Sequence, residues 1–266
     1  VSTISFADRV IEGQVGSNLV DALVDQGEEV IVMDDLSTGK KEYLNPSCRF
    51  YEADITDPGR VEEVFSRESK EAPIDHVYHL AAQIDVPVSV RDPRLDSHIN
   101  IFGGLNILEN CYEYGVGKII FASTGGALYD SRDEIPTTER QIPKPISPYG
   151  IHKLTLEHYL NYYYQVFGQE YAVLRLANIY GPRQFKGGEA GVITIFIDNA
   201  VHGKESILYG NGRQTRDFVY VDDTVDVFRR VARSDFVGVL NVGRGIEVNI
   251  LEVIEAIENT LGEKMN

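Results

Sequence analysis

A tyrosine and a lysine stand four residues apart in the segment "SPYGIHKLTLEHYL", as Tyr149 and Lys153. Residues four apart lie on the same face of a helix, so a helical segment would place the two side chains side by side. A free tyrosine titrates at about pH 10 and is a poor base at neutrality, but a nearby ammonium group favours the phenolate. The pair is therefore a candidate proton acceptor for a hydroxyl group of a substrate. The alternative is an ordinary surface pair at the start of a helix.

A hydroxyl and a run of small residues are predicted to lie close to this pair. Thr124 ends the predicted strand "KIIFAST", and "HLAA" at 79–82 ends another. Ligands of parallel sheets collect at the carboxyl ends of the strands. The Thr124 hydroxyl can then orient a reacting oxygen, and the small residues let a ligand lie close to the backbone.

A second set of residues is typical of a dinucleotide site. Gly13 and Gly16 precede the helical pattern "SNLVDALVDQG", where backbone N–H groups can approach a pyrophosphate, although Val10 stands where an earlier glycine is expected. Asp34 ends the second strand about 20 residues later, where a carboxylate accepts from ribose hydroxyls and repels a 2′-phosphate. The predicted cofactor is NAD. The alternatives are an ordinary packing pair of glycines and a solvated turn at Asp34 and Asp35.

The elements that must position these residues alternate along the chain. Short Val- and Ile-rich runs, among them "EVIVMDDL", "KIIFAST" and "YAVLRLAN", are separated by stretches with helical spacing. That alternation predicts an α/β fold, a doubly wound parallel sheet of Rossmann type with helices on both faces. Gly27, Gly115 and Gly168 are predicted to end helices in the left-handed conformation.

The chain is predicted to form two domains. Residues 1–178 would form the Rossmann-like, NAD-binding domain, and residues 179–266 a smaller α/β substrate domain, because the sequence becomes glycine-rich and less regular after "LRLANIYGPRQ". Part of 216–233 could return to the first domain. The proline-rich stretch 134–148 is predicted to be a loop laid over the sheet.

Composition narrows the choice of partners and compartment. Forty-one acidic and twenty-five basic side chains leave a net charge of −16, which repels nucleic acid and anionic membrane surfaces. The two cysteines, Cys48 and Cys111, are too few for a disulfide framework and indicate thiols in a reducing, cytoplasmic compartment. No apolar run approaches membrane-spanning length, and the N-terminus lacks the features of a signal peptide. We expect no metal site, since the histidines of "HVYH" point to opposite faces of a strand.

Several motifs in the right order carry a resemblance to a known family. They are "DDLSTGKKEYLNP", "HLAAQIDVPVSV", "FASTGGALY", "SPYGIHK", "RLANIYGPRQ", "GEAGVITIFI" and "TRDFVYVDD". From about Leu19 to its end, the chain resembles the extended short-chain dehydrogenase/reductase family. The resemblance implies epimerisation at carbon 4 of a nucleotide-sugar, of the UDP-glucose and UDP-galactose type, through a transient 4-keto sugar and a tightly held NAD.

The resemblance also implies roles for individual residues. Tyr149 would deprotonate the sugar 4-hydroxyl, Lys153 would bind the nicotinamide ribose and favour the phenolate, and Thr124 would share the proton network. The residues that would touch NAD are Gly13, Gly16, Asp34, Asp54, Ile55, Leu80, Ala81, Ala82, Gln83, Asn100, Ser123, Tyr149 and Lys153. The nucleotide-sugar would be held by Thr124, Asn178, Val192, Tyr209 and Arg216. Two other interpretations stay open, namely that Asn178 caps a turn and that Arg216 pairs with a neighbouring aspartate.

Family members pair two helices across a two-fold axis, which implies a homodimer formed by 96–115 and 149–168, both rich in apolar and aromatic residues. Family members also continue roughly 50 residues further, which leaves open whether the chain is a C-terminally truncated fragment.

Two alternative functions remain. A nucleotide-sugar dehydratase or decarboxylase would share the early steps but would carry acidic residues directly after the threonine, where this chain has Gly125 and Gly126. A non-catalytic nucleotide-binding remnant is the other alternative, because Val10 and Glu12 alter the glycine turn.

Overall fold

The computed structural model describes residues 2–6, 14–37, 41–130, 134–184 and 191–265. Its strands are β1 (Ser2–Phe6), β2 (Glu29–Asp34), β3 (Arg49–Glu52), β4 (Ile74–His79), β5 (Lys118–Thr124), β6 (Glu170–Leu176), β7 (Asn178–Tyr180), β8 (Thr215–Arg216), β9 (Phe218–Tyr220), β10 (Gly238–Val242) and β11 (Val248–Asn249). Seven of these described strands form one sheet in the order β3-β2-β1-β4-β5-β6-β10, and every neighbouring pair is parallel. The order reverses between β1 and β4, which opens a crevice at their carboxyl ends.

The helices lie on both faces of this sheet. They are α1 (Gln14–Val24), α2 (Pro58–Glu71), α3 (Val86–Arg91), α4 (Pro93–Ser97), α5 (Gly104–Glu113), α6 (Pro148–Phe167), α7 (Val192–Val201), α8 (Val221–Ala232) and α9 (Ile250–Leu261), with a 3₁₀ turn at Lys41–Tyr43 and a π-helical turn at His98–Gly103. Helices α1 and α8 bury Leu23 and Phe228 on one face, whereas α2, α5 and α6 bury Phe65, Ile107 and Leu160 on the other. The predicted doubly wound α/β fold is confirmed.

The predicted helix ends are also confirmed. Gly27, Gly115 and Gly168 have φ angles of 77°, 65° and 77°. These angles lie in the left-handed region that glycine adopts without steric cost. At the end of α6, the Gly168 N–H donates to the carbonyls of the last turn, so the glycine satisfies groups that the helix leaves open.

Some elements after residue 178 pack against the main sheet, and others form a separate hydrophobic cluster. Helix α8 packs against α1, and β10 pairs in register with β6 at the edge of the main sheet. Helices α7 and α9 instead form a smaller cluster around Phe196, Phe218 and Val253. The division into domains at residue 178 stays a prediction.

Residues 134–147 of the predicted loop contain no helix or strand, whereas Pro148, its predicted last residue, begins α6. The loop is fixed to β10, because Asn241 donates its backbone N–H to the Glu139 carboxylate at 2.7 Å and its side-chain amide to the Thr137 carbonyl at 2.9 Å. Across the described residues, no helix is long and apolar enough to cross a membrane.

Candidate active site

The first turn of α6 fixes the position of Tyr149. Ser147 caps the helix by accepting from the Gly150 N–H at 3.2 Å, and Pro148 occupies the first turn, where its missing N–H costs nothing. The backbone N–H of Tyr149 donates to the hydroxyl of Ser89 on α3 at 3.2 Å. The tyrosine ring is half-buried at the edge of the sheet.

Lys153 lies one turn further along α6 and is only 3% exposed. Its ammonium donates to the Ala122 carbonyl of β5 at 3.0 Å and lies 6.0 Å from the centre of the Tyr149 ring. Burial lowers the pKa of Lys153 to about 7, while the charges of Asp96 and Glu157 oppose that shift. An ordinary surface pair is excluded by this burial.

The carboxyl end of β5 supplies hydroxyl groups next to this pair. Thr124 ends the strand as predicted, and its hydroxyl accepts from the Ala127 N–H at 3.3 Å. The Ser123 hydroxyl hydrogen-bonds to the buried carboxylate of Glu157 on α6, which also forms an ion pair of 2.6 Å with Arg175 of β6. Strand and helix are thus tied together by side chains directly behind the site.

A second group of predicted cofactor residues lies at the start of α1 and at the end of β2. Gly16 is buried in the first turn of α1, and the Ser17 hydroxyl beside it is buried without a hydrogen-bond partner among the described residues. The Asp34 carboxylate is fully buried and accepts from the Leu36 N–H at 2.7 Å. Gly13, Val10 and Glu12, on which the sequence hypotheses about the turn depend, lie outside the described residues.

The remaining predicted cofactor residues line the ends of β3 and β4. Asp54 is exposed after β3, while Ile55 is buried against Gly103, where an added Cβ would approach it to 2.6 Å. The four predicted residues that follow β4 are all buried, and they are Leu80, Ala81, Ala82 and Gln83. Asn100 of the π-helical turn holds the Gln83 backbone through two hydrogen bonds of 2.9 Å.

A cavity of about 460 Å³ lies beyond β6, and the predicted residues Asn178, Val192, Tyr209 and Arg216 all line it. Arg216 donates to the Thr215 carbonyl at 2.8 Å. The Asp217 carboxylate accepts instead from the backbone N–H groups of residues 244 and 245, at 3.0 and 2.8 Å. The cavity is lined by the Arg216 guanidinium, the Asn178 amide and several aromatic side chains. Such a lining suits a phosphorylated nucleoside, because the polar groups can bind phosphate and the rings can contact a base.

Four side chains around the site were missed by the sequence analysis. They are Asp96, His152, Glu157 and Arg175. Glu157 could have been found, since it stands four residues after Lys153 on the same helical face. Asp96 and Arg175 meet their partners only through long-range contacts, which no local pattern reveals.

The two histidines of "HVYH", His76 and His79, lie on opposite faces of β4, as the alternation of side chains along a strand requires. His79 stacks on Phe121 with ring centres 5.3 Å apart, and burial, together with the charge of Lys153, lowers the pKa of His79 to about 3. No cluster of His, Cys, Asp or Glu able to hold a metal occurs in the described part of the chain.

Comparison with known proteins shows which family shares this arrangement. Residues 11–243 match the NAD dependent epimerase/dehydratase family. UDP-glucose 4-epimerase of Mycolicibacterium smegmatis is 37% identical over 256 residues, which cover 94% of this chain and 80% of that protein.

Two solved structures are similar over the whole chain. The crystal structure of UDP-glucose 4-epimerase with UDP-glucose from Thermotoga maritima has a TM-score of 0.94 and 40% identity, and this chain spans 84% of it. UDP-glucose 4-epimerase of Thermus thermophilus in complex with NAD has a TM-score of 0.91 and 39% identity, with 85% of that chain covered. The predicted resemblance is confirmed, and the chain belongs to the NAD dependent epimerase/dehydratase family.

Proposed function

We propose that this chain is an NAD-dependent isomerase that inverts carbon 4 of a UDP-hexose. The observation that carries the proposal is the buried Lys153 ammonium beside Tyr149, at the carboxyl end of β5 where Thr124 lies. Relatives that resemble the chain over 94% of its length carry the name UDP-glucose 4-epimerase, and the similar Thermus structure holds NAD.

The residues present fit a dinucleotide. The Ser17 hydroxyl, buried and unpartnered among the described residues, lies in the first turn of α1, where a helix N-terminus attracts phosphate. Asp34 supplies a carboxylate for ribose hydroxyls at the end of β2. NAD would further be held by Asp54, Ile55, the 80–83 segment, Asn100, Ser123, Tyr149 and Lys153, and by the glycines of the turn. When bound, NAD supplies a hydride acceptor that is regenerated within each turnover.

Three side chains carry the proton chemistry. The Tyr149 phenolate takes the proton from the sugar 4-hydroxyl. It returns the proton after the 4-keto sugar has rotated to present its opposite face. The Lys153 ammonium stabilises the phenolate by charge, and the Thr124 hydroxyl orients the reacting oxygen. These groups are fixed by the hydrogen bonds of α6 and β5 before substrate arrives, which lowers the cost of reorganisation during the reaction.

The cavity beyond β6 is proposed to hold the nucleotide-sugar. Arg216 offers a planar guanidinium for the pyrophosphate, and Asn178 offers an amide donor. Val192, at the start of α7, and Tyr209 are exposed enough to contact the substrate.

Product analysis separates this proposal from the sister reactions. Purified protein would be incubated with UDP-galactose and the products separated by chromatography. We expect UDP-glucose, because Gly125 and Gly126 provide no carboxylate for a further proton transfer. A 4-keto-6-deoxy sugar, or a decarboxylated product formed from a UDP-glucuronate substrate, would contradict the epimerase proposal and favour a dehydratase or decarboxylase.

Denaturing the purified protein and assaying released NAD tests the other alternative. Near-stoichiometric NAD supports the enzyme. A protein that carries no NAD and is not stabilised by added NAD would instead be a nucleotide-binding remnant.

The exposed faces of α5 and α6 support a homodimer. Tyr112, Tyr162 and Phe167 form an aromatic cluster and are each 43–47% exposed. An aromatic patch of this kind is typical of an interface. Light scattering should give about twice the chain mass of 29.8 kDa. Tyr162→Arg should reduce the measured mass, whereas the control Val201→Arg, at an exposed position of α7, should leave it unchanged. A particle of the single-chain mass for the wild type would contradict the homodimer.

Compartment is part of the same proposal. Cys111 is buried and Cys48 half-buried, and both are free thiols in the structure. Free thiols are typical of a reducing compartment, so we place the protein in the cytoplasm. Recovery of the protein in a cytosolic fraction would test this.

A further inference from the structure

A buried carboxylate lies beside the candidate site without a part in the chemistry described so far. Asp96, on the short helix α4, is 0% exposed. One of its oxygens accepts from the Gln83 side-chain amide at 2.6 Å, and the other contacts Nδ1 of His152. A carboxylate removed from water is costly unless it is paired and hydrogen-bonded, so both partners stabilise its charge.

The two partners belong to different elements of the candidate site. Gln83 follows β4, and its backbone is held in place by Asn100. His152 is the residue before Lys153 on α6, and its side chain is 13% exposed. Asp96 therefore joins the segment after β4 to the helix that carries the tyrosine and the lysine.

The charge of Asp96 also reaches Lys153. The groups that face this lysine are the carboxylates of Asp96 from α4 and Glu157 from α6, His79 from β4, and the Tyr149 ring. His79 contributes no charge above about pH 3, because burial lowers its pKa to about 3. Burial lowers the pKa of Lys153, and the negative charges of the two carboxylates oppose that shift.

We propose that Asp96, held between Gln83 and His152, is a positioning residue that aligns the first turns of α6 with the segment after β4 and keeps Lys153 in its charged form. This inference rests on the proposed epimerase function. The partner that completes it is His152, whose Nδ1–H is the donor to the buried carboxylate.

The chain contains a matched control for the histidine. His202 at the end of α7 contacts Asp198 through Nδ1 at 2.8 Å, but this pair lies on the surface, with the His202 side chain 53% exposed. Exposed ion pairs contribute little. His202→Ala therefore removes the same kind of contact on a helix other than those that carry Lys153 and Asp96.

The first experiment compares steady-state kinetics of three histidine variants. His152→Ala should lower kcat about tenfold by displacing reacting groups, with KM for the UDP-sugar changed less than twofold. His152→Asn restores an N–H donor at the position of Nδ1 and should recover kcat to within about threefold of wild type. His202→Ala should match wild type. Equal kcat values for His152→Ala and His202→Ala would overturn the positioning role.

The second experiment tests the charge. Asp96→Asn removes one negative charge near Lys153, so the pKa of Lys153 should fall and its ammonium should be lost at lower pH. The alkaline limb of kcat/KM should move about one unit toward lower pH. A purely structural role would reduce the amount of folded enzyme and leave the position of that limb unchanged.

A third readout does not depend on turnover. The pH titration of the Lys153 side chain, followed by NMR of lysine-labelled, NAD-loaded protein without sugar, should shift in the same direction in Asp96→Asn. If this variant does not fold, the comparison of His152→Ala with His152→Asn decides. A wild type that interconverts no UDP-sugar contradicts the proposed function, whereas an unshifted Lys153 titration contradicts this inference alone.

Discussion

The catalytic edge and the nucleotide-sugar cavity are neighbours that are built differently. Thr124 of β5 pairs with Leu176 of β6, and Asn178 follows two residues later. At the catalytic edge, Lys153 is 3% exposed and held by the backbone of β5, whereas Tyr209 in the cavity is 78% exposed. The groups proposed to move protons are fixed in advance, and those proposed to bind the nucleotide remain open to it. Substitutions in the first region should therefore change kcat, and those in the second should change KM.

The largest effect is expected for Tyr149→Phe. The change keeps the ring and removes the ionisable oxygen, so kcat should fall by about 10² to 10⁴, the range for losing a positioned acid–base group. Released NAD and the melting temperature should stay near the wild-type values. A rate within threefold of wild type would contradict the proposed mechanism.

Lys153→Ala should lower kcat by about 10² and also reduce the NAD recovered after denaturation, since the ammonium is proposed to serve both the phenolate and the ribose. This double effect separates the two residues of the pair. NAD content equal to that of Tyr149→Phe would show that Lys153 does not contact the cofactor.

Arg216→Ala tests the nucleotide-sugar cavity, where substitutions are expected to change KM. Loss of a charge-assisted hydrogen bond costs about 1.5 to 3 kcal/mol, which corresponds to a rise in KM of roughly 10- to 100-fold. The value of kcat should stay within threefold of wild type. Arg230→Ala, which removes an exposed guanidinium paired with Asp226 on α8, is the control and should change neither constant. A fall in kcat for Arg216→Ala with unchanged KM would break the contrast between the two regions.

The two regions also differ in how far they could be predicted. The Tyr149 and Lys153 pair follows from helical spacing, and Thr124 and Asp34 follow from the ends of Val- and Ile-rich strands, because these signals are local. The sequence alone could not place Asp96 against His152. Those residues are 56 positions apart and meet only because α4 and α6 pack together.

The fold was also predictable only where the sequence signal is local. Strands β2, β5 and β6 were predictable from their buried, nearly continuous apolar runs. The addition of β10 was not, since "GVLNV" is short and pairs with β6 across more than 60 residues of intervening chain. The cavity residues were identified through the family resemblance rather than from a local pattern, because exposed side chains follow no periodicity.

The smallest of these kinetic changes, a severalfold fall in kcat, is expected for Gly150→Ala, which tests how tightly the catalytic edge is packed. A Cβ at Gly150 would lie 2.5 Å from the Ala127 carbonyl oxygen, a backbone atom that cannot rotate away. The loop after Thr124 would have to move relative to α6, which should cost about 1 to 3 kcal/mol of unfolding free energy.

Because Gly150 lies directly after Tyr149, the same displacement should lower kcat severalfold while KM stays unchanged. Gly59→Ala is the matched control, since Gly59 also lies in the first turn of a helix, α2, and an added Cβ there meets only the Asp57 carboxylate at 3.4 Å. It should change stability by no more than about 0.5 kcal/mol and leave kcat intact. Equal stability and equal kcat for the two variants, measured by urea unfolding and by epimerisation of UDP-galactose, would mean that the close contact between the loop and α6 does not hold the tyrosine in place.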